Sequence, residues 1–146
     1  MAAIRDPTGA IVSLWQPRSR IGATLVNDVG ALCWNELATP DVERAKSFFA
    51  ELLGWDYKPD DSGYTSIINA GLPNGGMREQ TEQERSTPPS WLAYFTVESA
   101  DEAARQAERL GGRTLLPTTE IRGGRFALIA DPQGAPVAVF EGQTDS

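Results

Sequence analysis

The sequence predicts an α+β fold made of two successive βαβββ modules. Three observations predict it. An alternating strand followed by an amphipathic helix and three short strands spans residues 30–78, and the same order restarts over 91–142. Between them lies a polar stretch, residues 79–90 (EQTEQERSTPPS), with two prolines, which reads as an exposed loop. Finally, residues 2–16 (AAIRDPTGAIVSLWQ) and 127–141 (ALIADPQGAPVAVFE) repeat one pattern, two apolar runs joined by Asp-Pro-x-Gly-Ala. Pro at the second and Gly at the fourth turn position suit a type I turn, so each copy reads as a β-hairpin.

The elements follow in order. Residues 1–16 form the opening hairpin, and 17–29 carry no sustained period and read as a linker. Residues 31–38 alternate as a strand, with Leu32, Trp34, Glu36 and Ala38 on one face. Thr39-Pro40-Asp41 starts a helix, whose stripe is Val42, Ala45, Phe48, Phe49, Leu52 and Leu53, and Gly54 stops it. Strands near 55–58, 63–69 and 74–78 complete the first module. In the second, 91–97 is a strand and Ser99 to Glu102 a capping box. Ala103, Ala107 and Leu110 form the next helix's buried stripe, Gly111-Gly112 end it, and strands follow near 113–119, 125–130 and 135–141.

Composition narrows the function. The 146 residues carry a net charge of −7, which repels phosphate backbones and anionic membranes, so neither nucleic acid nor a lipid surface is an expected partner. No apolar run reaches membrane-spanning length, and the residues after Met1 do not read as a signal peptide, so a cytoplasmic location is the expectation. One cysteine, Cys33, excludes an intrachain disulfide framework, and its strand position suggests an inert buried thiol beneath the first helix. There is no histidine. That removes the usual base near neutral pH, the commonest transition-metal ligand and every nucleophile–histidine triad.

Several segments resemble the vicinal oxygen chelate superfamily, which includes glyoxalase I, bleomycin-resistance proteins and extradiol dioxygenases. They are Asp41 to Phe49 followed by Leu53-Gly54-Trp55, Trp91 to Val97 followed by Ala103 to Gly112, and Asp131-Pro132-Gln133-Gly134. The resemblance covers residues 30–142 and implies paired βαβββ modules in a curled mixed sheet that encloses a cavity. It also implies a homodimer. The opening segment, through Leu14-Trp15-Gln16, Ile21 to Asn27 and Trp34 to Leu37, resembles the junction of tandem two-domain glyoxalase-like proteins. Two readings of it stay open: Met1 corresponds to an internal residue of a longer protein, or the hairpin adds strands to its own or a partner's sheet.

In the metal-dependent members, ligands stand at positions that here hold Trp34, Leu92 and Ala138, with Ser13 equivalent in the opening copy. None ligates a divalent ion, so neither metal nor cofactor is expected. Strand alternation instead places Trp34, Glu36, Leu92, Tyr94, Thr96, Ala138 and Phe140 on the concave face, with Tyr64 and Ser66 beside them. Trp34 and Tyr94 suit stacking on a planar or cationic ligand, with Glu36 giving charge complementarity; alternatively the aromatics fill the barrel and Glu36 pairs with Arg125 or water. The expected function is a metal-free module that binds a small hydrophobic or aromatic molecule, with Trp34, Glu36, Tyr64, Leu92, Tyr94, Thr96, Arg125 and Phe140 as ligand contacts. The alternatives are a glyoxalase- or dioxygenase-related enzyme (lyase, isomerase or oxygenase), a metal-free enzyme with Glu36 as base and Tyr94 or Arg125 as electrophilic partner, or a structural domain. Trp15, Trp55 and Trp91 read as packing or interface residues.

Overall fold

A computed structural model describes residues 1–144. The chain divides into two compact units, Met1–Gly22 with Asn35–Trp91, and Ala23–Trp34 with Leu92–Ser146. No helix among the described residues is long and apolar enough to cross a membrane.

The first unit contains the hairpin β1 (Ala2–Arg5) and β2 (Ile11–Leu14), then most of β3 (Leu32–Thr39), α1 (Val42–Leu53), β4 (Asp56–Pro59), β5 (Thr65–Asn69) and β6 (Leu72–Glu79). Its strands run in the order β4-β5-β6-β3, with β3 parallel to β6 and the other pairs antiparallel. The second unit holds most of β7 (Ser90–Thr96), then α2 (Ala100–Arg109), β8 (Arg113–Ile121), β9 (Gly124–Ala130) and β10 (Pro136–Gly142). Its order is β7-β10-β9-β8, with β7 parallel to β10. Each module therefore has one topology: the first strand lies parallel to the last, and the helix supplies the crossover. Among the described residues, both α-helices and all ten strands stand where alternation and turn residues put them.

The two repeated turns also agree in detail. In the first, Asp6 N donates to Ala10 O at 2.9 Å, while Asp6 Oδ1 accepts from the backbone N–H of Thr8, Gly9 and Ala10. In the second, Asp131 N donates to Ala135 O at 3.0 Å, and Asp131 Oδ1 accepts from Gln133 N and Ala135 N. Gly9 and Gly134 both take positive φ, 111° and 96°, which explains why each turn ends on glycine.

Packing corrects several details. The α1 stripe is Val42, Ala45 and Phe49, with Phe48 partly covered, whereas Leu52 and Leu53 are exposed. Phe49 stacks on Trp55 and meets Trp91 edge-on, so these rings close the core before the helix's last turn. Leu37, Ile67 and Met77 complete that core, and Ala10 of the hairpin turn is wholly buried in it. In α2 the stripe is Ala100 and Ala104, with Ala103 alongside; Leu110 is 68% exposed. It sits at the C-cap with φ −90° and ψ 7°, so helical periodicity no longer carries it inward. The capping box is only half formed. Ser99 Oγ accepts from Glu102 N, but the Glu102 carboxylate turns away to Arg105 and Arg109; the next N–H, that of Ala100, donates to Glu141 Oε2 at 3.0 Å.

Candidate functional site

In the first unit, Leu37, Ile67 and Met77 face α1, so the alternate residues of the same strands face away from it. Cross-strand register puts Glu36 opposite Gly76, Gly76 opposite Ser66, and Ser66 opposite Lys58. Arg78, two residues after Gly76, shares that face. Its Nε donates to Glu36 Oε1 at 2.8 Å, and its Nη1 and Nη2 grip both oxygens of Glu84 at 2.7 and 2.8 Å. Glu36 thus pairs with Arg78, not Arg125, because Arg78 is its neighbour on the adjacent strand. The apolar surroundings that the general-base reading of Glu36 needs are replaced by a guanidinium.

Glu84 belongs to the short 3-10 helix Glu84–Ser86 in the loop that the sequence marks as merely exposed. That loop is anchored. Thr81 N donates to Glu84 Oε2, Gln80 N donates to Thr39 O, and the buried Gln80 side chain donates to the carbonyls of Glu84 and Thr87. The hydrogen bond from Arg78 holds the Glu84 carboxyl down at about 2, against a smaller opposing effect of burial. The same hydrogen bond to Glu84 is the largest influence raising Arg78 above the ordinary guanidinium value.

Tyr64, immediately before β5, is half-buried, and its phenol fills the space beside Gly76: a methyl group at Gly76 would overlap the Tyr64 hydroxyl. Glycine at this point makes room for the ring on the face that carries Glu36 and Arg78. The structure therefore brings Glu36, Tyr64 and Ser66 onto one face. The residue that sequence reasoning missed is Arg78. Its alternation with Gly76 and Met77 was the available signal.

In the second unit, α2 covers Ala127, Ile129 and Val139. The opposite face carries Leu92, Tyr94 and Thr96 from β7, Ala138 and Phe140 from β10, and Phe126 and Leu128 from β9, fixed by the pairs Ala138↔Tyr94, Phe140↔Thr96, Phe140↔Phe126 and Ala138↔Leu128. Tyr94, Thr96 and Ala138 are buried, Leu92 and Phe140 half-buried, and the Tyr94 and Phe126 rings lie 5.9 Å apart. Trp34 is half-buried in β3. Cys33, next to it, is half-buried rather than wholly inside; its Sγ donates to Tyr94 O at 3.4 Å, and burial pushes its thiol pKa up.

Arg125 is the misplaced candidate. It lies opposite Glu141 on β10, on the α2 side of the sheet, away from Tyr94 and Phe140. Its Nη2 donates to both Glu141 oxygens at 2.8 and 2.7 Å and its Nη1 to Asp101 at 3.3 Å. This guanidinium ties the start of α2 to β10 and is not an electrophile on the aromatic face.

The residues do not fit the divalent metal of the dioxygenase and glyoxalase chemistry. Ala138 is a fully buried methyl group beside Tyr94, and Trp34 and Leu92 offer no donor for such an ion. The inward carboxylate, Glu36, already faces a cation. Among the described residues no three His, Cys, Asp or Glu side chains cluster to hold a metal.

A family model described as a glyoxalase-like domain matches residues 32–140, from β3 through β10. This chain belongs to the glyoxalase-like family. "Putative glyoxylase CFP32" of Mycobacterium tuberculosis is 37% identical over 97% of this chain, and "Anthracycline biosynthesis protein DauV" of a Streptomyces species is 31% identical over 97%. The matches take in 55% and 52% of those proteins, so this glyoxalase-like chain spans about half the length of the curated relatives it matches. Among solved structures, a glyoxalase/bleomycin resistance protein/dioxygenase superfamily member from Vibrio splendidus superposes with TM-score 0.54 at 14% identity, covering 76% of this chain and 99% of that one. An extradiol ring-cleaving dioxygenase from B. fuscum gives TM-score 0.59 at 18% identity, covering 82% of this chain and 34% of the enzyme. These likenesses establish the fold of the glyoxalase-like domain.

Proposed function

We propose that this glyoxalase-like chain is a cytoplasmic, metal-free module that binds a planar, largely apolar small molecule. The observation that carries the reading is the helix-free face of the second module. There Tyr94 stands opposite Ala138, with Phe140 and Phe126 next along the same face, and Ala138 is a methyl group at a position where the superfamily resemblance implies a metal ligand. Such a face suits stacking and apolar contact rather than Lewis-acid chemistry. The Streptomyces relative's name supports an aromatic polyketide of the anthracycline class as the kind of molecule taken.

Intrinsic tryptophan fluorescence tests this. Titration of untagged protein with an anthracycline is expected to give saturable quenching that is unchanged by chelator and weakened about tenfold or more by Tyr94→Ala, the loss of one well-packed ring contact. Quenching that appears only after a divalent metal is added would overturn the reading. The name of the mycobacterial relative favours a second reading, an enzyme of the glyoxalase kind. Turnover lost in Glu36→Gln with binding retained would support it.

A further inference from the structure

An open cleft of 440 Å³ lies within the first unit, between the opening hairpin and the chain that leads into β7. Arg5, Gly9 and Ile11 form one wall, and Pro88, Pro89, Ser90 and Trp91 the other. Neither the Glu36 and Arg78 pair nor the aromatic face around Tyr94 contributes to it.

The hairpin wall follows from strand alternation. Arg5 pairs with Ile11 across the hairpin, one step from the pair Ile4↔Val12, and Val12 packs on the core. Arg5 and Ile11 therefore share the face turned from that core, and Ile11 is 60% exposed. The Asp6 carboxylate, next in sequence, does not neutralise Arg5. Its Oδ1 accepts from the N–H groups of Thr8, Gly9 and Ala10, and its buried Oδ2 has no partner. Among the described residues the Arg5 guanidinium makes neither an ion pair nor a hydrogen bond.

The opposite wall is held in place. The Trp91 ring meets Phe49 and Trp55 edge-on, at 5.7 and 6.3 Å. Pro88 and Pro89 restrict their own backbone, and Thr87 before them is tied to the loop. Its carbonyl accepts from Gln80 Nε2 at 3.1 Å, and its hydroxyl donates to Glu84 O at 2.7 Å. Pro89 also reaches the hairpin turn, since a methyl group on Gly9 would lie 3.8 Å from Pro89 Cδ. The cleft thus combines rigid apolar surface with one unpartnered cation and the exposed Ser90 hydroxyl. Its volume suits a small molecule, and a guanidinium fork matches the two oxygens of a carboxylate. In a chain of net charge −7, an unneutralised arginine over apolar surface favours an anion locally.

We propose that this cleft is a second binding site, for a small aromatic carboxylate. Arg5 and Ser90 take the carboxylate, and Ile11, Pro88, Pro89 and Trp91 take the ring.

Equilibrium dialysis of the full chain against indole-2-carboxylate, with neutral indole-2-carboxamide as control, tests this. The acid is expected to bind one per chain with Kd below about 1 mM, and the amide about tenfold more weakly. Arg5→Gln should remove that difference between acid and amide while leaving the thermal unfolding of the chain unchanged. Ile11→Glu, which sets an internal carboxylate beside the guanidinium, should abolish binding of the acid. Tyr94→Ala should leave it unchanged, which separates this site from the face proposed for the planar apolar ligand. Four outcomes would overturn the proposal. They are no saturable binding of the acid, equal weakening of acid and amide by Arg5→Gln, loss of binding in Tyr94→Ala, or a homodimer of this chain that Arg5→Gln dissociates.

Discussion

Arg78 Nε lies 2.8 Å from Glu36 Oε1, joining β6 to β3 across 42 positions of sequence, and the same guanidinium clasps Glu84 of the following loop. Glu36 is 7% exposed, so its charge needs this partner. Arg78→Met leaves two carboxylates facing each other without a cation. A fully buried pair broken this way costs about 3–5 kcal/mol; because the Arg78 side chain is 30% exposed, about 1–3 kcal/mol is expected. Urea unfolding measures it, and an unchanged midpoint would show that the network contributes nothing.

The same network sets an acid limit. Glu84 has a folded-state pKa of about 2 against an ordinary 4.5, so it binds a proton more readily in the unfolded chain. Its contribution to stability is complete above about pH 4.5 and is lost as pH falls towards 2. Melting temperature followed from pH 5 to pH 2 should therefore fall less steeply in Glu84→Gln than in the wild-type protein.

Gly76 has ordinary backbone geometry, so any requirement for glycine there is steric. Gly76→Ala must push the Tyr64 ring off the Glu36 face, at a cost of about 1–3 kcal/mol, typical of overpacking. Tyr64→Ala in the same chain should relieve most of that cost, because it removes the clashing ring. A double-mutant cycle by chemical denaturation reads the coupling.

At the start of α2 the carboxylate that takes a free backbone N–H comes from Glu141, not Glu102. Glu141 Oε2 accepts from Ala100 N, and both Glu141 oxygens bind Arg125, which holds the carboxyl below the usual range. Glu141→Gln should therefore lower the melting temperature more than Glu102→Gln. Equal effects, or the reverse order, would contradict the assignment.

These cases show what was legible in the sequence. Strand alternation, the Asp41 and Ser99 caps, Gly54 and the repeated Asp-Pro-x-Gly turns act over a few residues, and the elements they imply are present. Alternation also places Leu92, Tyr94, Thr96, Ala138 and Phe140 on one face, as the register confirms. The errors are tertiary. Glu36 could not be assigned to Arg78 rather than Arg125 without knowing that β6 lies beside β3. The capping box at Ser99 is half formed because the Glu102 carboxylate is taken by Arg105 and Arg109, while a carboxylate from β10, remote in sequence, accepts from the next N–H, that of Ala100. Leu52, Leu53 and Leu110 fit a helical stripe on paper, yet they fall in last turns that the cores do not reach.

Isothermal titration of untagged protein with Ni, Zn, Mn and Fe(II) tests the proposal that this glyoxalase-like chain binds its ligand without a metal. No saturable binding of any of the four is expected, because Trp34, Leu92 and Ala138 supply no ligand and Glu36 is held by Arg78. One ion bound per chain with micromolar or tighter affinity, lost in Glu36→Gln, would contradict it.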